Sequence, residues 1–144
     1  CVGVSSLEAL AMNLLGFDGI ICPVMDARRN QVYNALFSAE NGTVTRLCGD
    51  RAISVDELGS ELSAYNKKIW LCGDGAIMTK ARLKNDNAFA APPLLLIQSA
   101  VSVCLAAMGK QAVSARELMP LYLRLSQAER ERIERQENHD SNRI

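Results

Sequence analysis

The sequence has one histidine, His139, no excess of either charge, few aromatic residues and no long unbroken apolar run. Each shortage excludes something. With 16 Lys+Arg against 16 Asp+Glu and a formal net charge of zero, the chain is not one that grips nucleic acid or an anionic membrane by bulk electrostatics. Local basic patches remain open. The longest apolar stretch, residues 94–108, is interrupted by Gln98, Ser99 and Ser102. It falls short of the roughly 20 residues a membrane span needs and reads as a buried core helix. No basic segment followed by an apolar one precedes Cys1, so no signal peptide is expected. The lone histidine lies in a polar tail, which excludes a zinc site built on paired histidines and makes a Ser–His–Asp triad improbable.

Five cysteines (Cys1, Cys22, Cys48, Cys72, Cys104) form no Cys-x-x-Cys pair. Four sit inside or beside apolar stretches, so they read as reduced, buried thiols of a cytoplasmic protein rather than as a disulfide or metal framework. Hydrophobic residues make up 49% of the 144, enough for one packed core at this length.

The pattern along the chain alternates strand and helix. Ser5 or Ser6 caps a helix expected over residues 6–15, with Gly16 as its stop. Residues 20–25 read as a strand that starts near an edge or bulge, because Pro23 lacks the N–H a ladder needs. Residues 26–30 form a tight polar connection. Residues 31–39 alternate, with Val32, Asn34 and Leu36 on one face and Tyr33, Ala35 and Phe37 on the other. Asn41-Gly42 is a strong hairpin signal leading into a strand over 43–48. These three segments make an antiparallel meander.

Ser54-x-x-Glu57 is a capping box opening an amphipathic helix over 55–65. A short buried strand over 68–72 then ends at Gly73-Asp74-Gly75. A helix over 76–83, a polar loop over 84–93 and the core helix over 95–109 follow. Residues 118–125, with Pro120 inside them, are too broken for a helix, and Ser126-x-x-Glu129 opens a charged helix to residue 136. The order is β-β-β-α-β-α-α, with room for one more strand before the last of these helices. This is α/β, a meander followed by crossovers, as in a ribonuclease-H-like sheet.

Candidate chemistry is sparse. Asp26, Asp50 and Asp74 all follow strands, where hydrolases of this sheet type hold two metals. Asp is also an ordinary turn residue, and a metal nuclease is disfavoured. Gly73, Asp74 and Gly75 lie at a strand-to-helix junction where backbone amides can meet a phosphate, but two glycines alone are weak evidence and a turn with a helix cap is the favoured reading. Arg28 and Arg29 are the most pointed exposed charges, two adjacent guanidiniums suited to clamping phosphate or a partner's carboxylates.

Three stretches together carry a resemblance. Gly3-Val4-Ser5-Ser6-Leu7-Glu8-Ala9-Leu10-Ala11, then Pro23-Val24-Met25-Asp26-Ala27-Arg28-Arg29-Asn30-Gln31-Val32-Tyr33, then Pro120-Leu121-Tyr122-Leu123-Arg124 resemble, in order, signature segments of the TsaB (YeaZ) family. The resemblance implies an actin-like (ASKHA) fold of ribonuclease-H-like lobes. It also implies a pseudo-enzyme that acts in tRNA threonylcarbamoyladenosine synthesis as scaffold and activator of the TsaD catalytic subunit, alongside the TsaE ATPase. Older descriptions of the family are glycoprotease- or peptidase-like, so the rival expectation is an actin-like nucleotide-binding or metallopeptidase-like enzyme. No cofactor, no metal and no catalytic residue are expected; a homodimer is.

The family's opening D-T-S strand and G-S-F-T-G-L-R segment are not found. Residues 1–17 are therefore expected to be the end of a first lobe, 18–125 the C-terminal lobe and 126–144 a charged helix and frayed tail. Such a piece is not expected to form the usual pair with the catalytic subunit unaided. Asn30-Gln31 stands where the family commonly has Gly-Glu; Asn tolerates the left-handed turn, so the hairpin should survive. Arg28 and Arg29 are expected to contact tRNA phosphates or a partner's acidic surface within the complex, since the balanced charge favours tRNA contact only through that assembly.

Overall fold

The computed structural model describes residues 1–124. The expected capping box at 126–129, the charged helix, the tail and His139 lie outside the described residues. The elements in chain order are α1 (Ser6–Met12), β1 (Gly19–Asp26), β2 (Gln31–Asn34), β3 (Phe37–Glu40), β4 (Thr43–Arg46), β5 (Arg51–Ser54), α2 (Val55–Leu62), β6 (Ile69–Cys72), α3 (Ala76–Arg82), β7 (Ala88–Ala90), α4 (Pro93–Leu96) and α5 (Ala100–Ala107).

The expected meander is present, with its second strand broken in the middle and its third, expected over 43–48, ending at Arg46; β5, outside that expected range, resumes the pairing. β2 and β3 continue one register against β1, Val24 facing Asn34 and Ile21 facing Phe37, all antiparallel. The break falls at Ala35-Leu36, opposite Cys22-Pro23, where proline has no N–H for the ladder. Across the next pair, residues 35–36 face residues 47–50, since Asn34 pairs Arg51 while Phe37 pairs Arg46. Two extra residues there make a bulge. β6 lies parallel on the other edge of β1, and β7 parallel on β6. β1 is thus the central strand, and Pro23 sits at an internal ladder break rather than near an edge.

Alternation along β1 to β3 feeds two cores. Ile20, Cys22, Val24, Val32 and Leu36 pack with Val55, Leu58 and Leu62 of α2 on one face. Ile21, Ala35 and Phe37 pack with Leu7, Leu10, Ala11 and Leu14 on the other. Asn41 and Gly42, with φ of 51° and 74°, make the expected turn between β3 and β4. The box at Ser54 closes in both directions: Glu57 N–H donates to Ser54 Oγ at 3.2 Å and Ser54 N–H to Glu57 Oε2 at 3.1 Å.

Ser54→Ala should lower stability by about 1 kcal/mol, read by denaturant titration. The Ser54 hydroxyl, and then its N–H, hold the Glu57 carboxyl below its ordinary value. Its folded pKa lies below the unfolded one, so this stabilisation is present above the ordinary carboxylate range and fades as pH falls through the folded value. The Ser54→Ala difference should therefore shrink in acid.

Several further expectations need correction. The loop over 84–93 contains β7, which extends the sheet. The core helix over 95–109 is two short helices, α4 and α5, and much of it faces outward, with Leu94 92%, Ile97 68%, Val101 69% and Met108 74% exposed. Asn13 of the turn after α1 donates to the carbonyls of Leu95 and Ile97 at 3.0 and 2.7 Å, and Ser99 caps a fresh helix by accepting from Ser102 N–H. Those polar bonds divide the run where apolar content alone reads continuous. Helices α1 and α2 also end earlier than expected, at Met12 and Leu62. Of the five cysteines, Cys22 and Cys72 are buried while Cys1 and Cys104 are exposed, and all five are free. No helix among the described residues is long and apolar enough to cross a membrane.

Candidate functional site

The three segments that carry the family resemblance, the third of them far along the chain from the other two, meet around one cleft. Ser5, N-cap of α1, accepts from Glu8 N–H at 3.2 Å and donates its hydroxyl to Asp50 Oδ2 at 2.5 Å. Asp50 lies in the bulge between β4 and β5, so the insertion that breaks the ladder also carries this carboxylate to α1. Its other oxygen receives Arg46 Nη1 at 2.6 Å, and Arg46 stacks over the Phe37 ring at 4.7 Å. Glu8 completes the set, meeting Arg46 at 3.4 Å and Lys110 at 2.9 Å. Ser5-x-x-Glu8 has capping-box spacing, but Glu8 turns to these cations instead of back to the Ser5 amide.

The chain after α5 runs along this side without helix or strand. It is pinned first at the N-terminus, where Val113 N–H donates to the Cys1 carbonyl at 2.8 Å and the Cys1 amino group to the Val113 carbonyl at 3.0 Å. It is pinned again at Arg124, whose Nη1 donates to the Ala27 carbonyl at 2.7 Å. Between these anchors lies a cleft of about 480 Å³ lined in part by Ser5, Met25, Tyr33, Asp50, Tyr122 and Arg124. All three segments contribute. Sequence reasoning singled out Asp50, and it missed Ser5, Glu8, Tyr33 and Arg124 as site residues. The capping spacing was the one local signal for the first two.

At one end of the sheet, Arg28 and Arg29 occupy the tip of the β1–β2 hairpin, both exposed. Their φ values of 59° and 52°, with Asn30 at 62°, put three successive non-glycine residues in the left-handed region, costing about 1–2 kcal/mol for each residue other than Asn. Asp26 Oδ1 accepts Arg28 N–H at 2.7 Å, and Gln31 N–H donates to the Arg28 carbonyl at 3.1 Å. Asn30 anchors the tip in three ways. Its carbonyl accepts Val55 N–H at 3.1 Å, its Nδ2 donates to Asp56 Oδ2 at 3.4 Å, and its Oδ1 accepts Arg82. The residue that departs from the family's usual glycine is the one that fastens the turn.

Gly73, Asp74 and Gly75 join β6 to α3. The Gly73 and Gly75 amides donate to the carbonyls of Leu96 and Val24, at 2.7 and 3.1 Å. Asp74 Oδ1 accepts Asp26 N–H at 3.1 Å. Of the three sequence-selected carboxylates, Asp26 and Asp74 are brought together, while Asp50 belongs to the Ser5–Arg46 set. Among the described residues, no three His, Cys, Asp or Glu side chains converge as metal ligands would. Burial raises the Cys22 thiol pKa strongly and pushes that of Cys72 up to about 12, so neither is a ready nucleophile.

The family model for TsaD, tRNA N6-adenosine threonylcarbamoyltransferase, matches residues 1–131. The chain is 30% identical over 136 residues to the tRNA threonylcarbamoyladenosine biosynthesis protein TsaB of Bacillus subtilis (strain 168), covering 92% of this chain and 59% of that protein. It thus spans 59% of the length of this curated relative. Among solved structures, it is similar to an uncharacterized protein with similarity to peptidase YeaZ from Pseudomonas aeruginosa, with a TM-score of 0.65 at 19% identity over 84% of this chain and 57% of that one. It is also similar to YeaZ from Pseudomonas aeruginosa, at a TM-score of 0.55 and 16% identity over 72% and 48% of the two chains. These two likenesses speak for the fold alone.

Proposed function

The chain belongs to the TsaB (YeaZ) family, and from that premise we propose that it acts in tRNA threonylcarbamoyladenosine synthesis as a non-catalytic scaffold and activator subunit. Its partners in this reading are a TsaD-like catalytic subunit, a TsaE-like ATPase and, for self-association, a second copy, in the cytoplasm. The chain's sheet, a three-segment antiparallel meander with two parallel strands beyond β1, supports a ribonuclease-H-like lobe of an actin-like architecture.

The observation that carries the proposal is the convergence of the three family segments on one cleft. Arg124–Ala27 ties the third to the second across 97 residues of sequence, and Ser5–Asp50 holds the first to the β4–β5 bulge across 45. A scaffold needs such a rigid, pre-formed face, because ordering a flexible one on assembly opposes binding. The groups that would serve an enzyme are committed to holding the fold: Asp50 to Ser5 and Arg46, Asp74 to the Asp26 amide.

Depleting the chain in its source cell should remove N6-threonylcarbamoyladenosine from bulk tRNA almost completely, read by nucleoside mass spectrometry. Purified chain given tRNA and a threonylcarbamoyl donor, without the catalytic subunit, should form none. Persistence of the modified nucleoside after depletion would overturn the role, and product formed by the chain alone would overturn its non-catalytic character.

A further inference from the structure

We infer that the β1–β2 hairpin tip and the groove beside it form a basic track for the phosphate backbone of an RNA. The track begins at Arg28 and Arg29, both in solvent and without an ion-pair partner among the described residues. It passes to Arg82, which is bonded to Asn30 Oδ1. Arg82 and Lys84 then line a groove of about 390 Å³ between α2 and the end of α3, floored by Gly59, Ser60 and Ser63. Arg124 reaches the same hairpin from the other side through the Ala27 carbonyl. Each of these two bonds occupies one nitrogen of a guanidinium and leaves the other donors for a ligand.

Two features favour phosphate over a protein surface. Five cations, Arg28, Arg29, Arg82, Lys84 and Arg124, gather about one hairpin and the groove beside it. The groove sets Ser60, Ser63 and Asn85 beside Val55 and Leu83 and has no aromatic in its lining, whereas protein interfaces are anchored by aromatic and large apolar side chains. Exposed apolar residues of that kind lie elsewhere, at Leu94, Ile97, Val101 and Met108 and at Leu121 and Tyr122. Acids lie close by: Asp56 lines the groove itself, and Asp26 and Asp74 sit at the base of the hairpin. Asp26 and Asp74 accept backbone N–H groups and Asp56 accepts the Asn30 amide. They temper the charge of the track, so binding should be weak and strongly salt-dependent. The tip is held in a costly left-handed conformation by Asn30, and strain of this kind gathers at sites that present side chains for function.

That the RNA is a tRNA rests on the function proposed above; the basic track does not, and the test separates them by reading binding without any modification chemistry. Fluorescently labelled, unmodified tRNA is titrated with the full 144-residue chain from about 50 to 200 mM salt and followed by anisotropy. Log affinity should fall with log salt at a slope of about −2 to −4, near −0.9 per phosphate contacted. Arg28→Ala with Arg29→Ala should flatten that slope by about 2 and Arg82→Ala by about 1. Arg28→Lys with Arg29→Lys should restore it, which separates charge from folding. Lys67→Ala with Lys68→Ala, at the opposite end of β1, should leave it unchanged. Absence of binding at the lowest salt would overturn the proposal. So would equal slopes for the alanine variants and the parent, or variants that lose an acidic protein partner while keeping RNA.

Discussion

Gly73→Ala should destabilise the protein by about 3–5 kcal/mol, the sum of a strained backbone and a steric clash. Gly73 has φ of 99°, where an L side chain is disfavoured, and a Cβ there would lie 2.2 Å from the Val24 carbonyl oxygen. That oxygen is backbone of the central strand and accepts the Gly75 N–H, so it cannot swing aside as a side-chain tip would. Relief requires β6 to move away from β1 at the point where α3 begins. Gly16→Ala separates the two contributions. Its φ is 97° with nothing within 4 Å of the added Cβ, so it should cost only about 1 kcal/mol. A domain of this size holds roughly 5–15 kcal/mol in all. Gly73→Ala should therefore shift the urea midpoint far more than Gly16→Ala, and equal shifts would show that the close approach to Val24 does not matter.

Much of the meander and its two faces is legible in the residues because the signals are local. Asn41-Gly42 needs only its own turn conformation, and Ser54-x-x-Glu57 closes over a single helical turn. The alternation from Val32 to Phe37 places each side chain in the core its position implies. Elements settled by distant partners are not legible. The division of α4 from α5 depends on Asn13, more than 80 residues earlier. β7 is three residues, Ala88-Phe89-Ala90, flanked by turn formers and without a β-branched residue, so its pairing with β6 decides its state.

The candidate site divides in the same way. Arg28 and Arg29 stand out because a turn carries its charges in plain sequence, and Asp50 because it follows a strand. Ser5–Asp50 and Arg124–Ala27 join residues that no spacing rule connects. Segment resemblance marks three stretches, and only the fold shows that they surround one cleft. Likewise, Asn30 reads as a tolerated substitute in a turn, while its bonds to Val55, Asp56 and Arg82 appear only in three dimensions.

Asn34→Leu should cost about 3 kcal/mol, and the reason returns to Pro23. Proline removes one donor from the ladder in the middle of the central strand. The two carbonyls at that break, those of Pro23 and Ala35, both accept from Asn34 Nδ2 at 3.0 Å. The fully buried amide therefore fills the gap that proline opens. Its oxygen accepts Arg51 Nε and Nη2 at 3.3 and 3.2 Å, and Arg51 continues to Glu61 of α2 at 2.5 Å. Leucine keeps the heavy-atom count and the branching but strands two carbonyls, each worth about 1–3 kcal/mol when left without a partner. Pro23→Ala supplies an N–H at the same break. In a double-mutant cycle, Asn34→Leu should then cost about 1 kcal/mol less in the Pro23→Ala background than in the parent. Additive effects by denaturant titration would mean that the asparagine and the proline are independent, and that Asn34 is held for Arg51 alone.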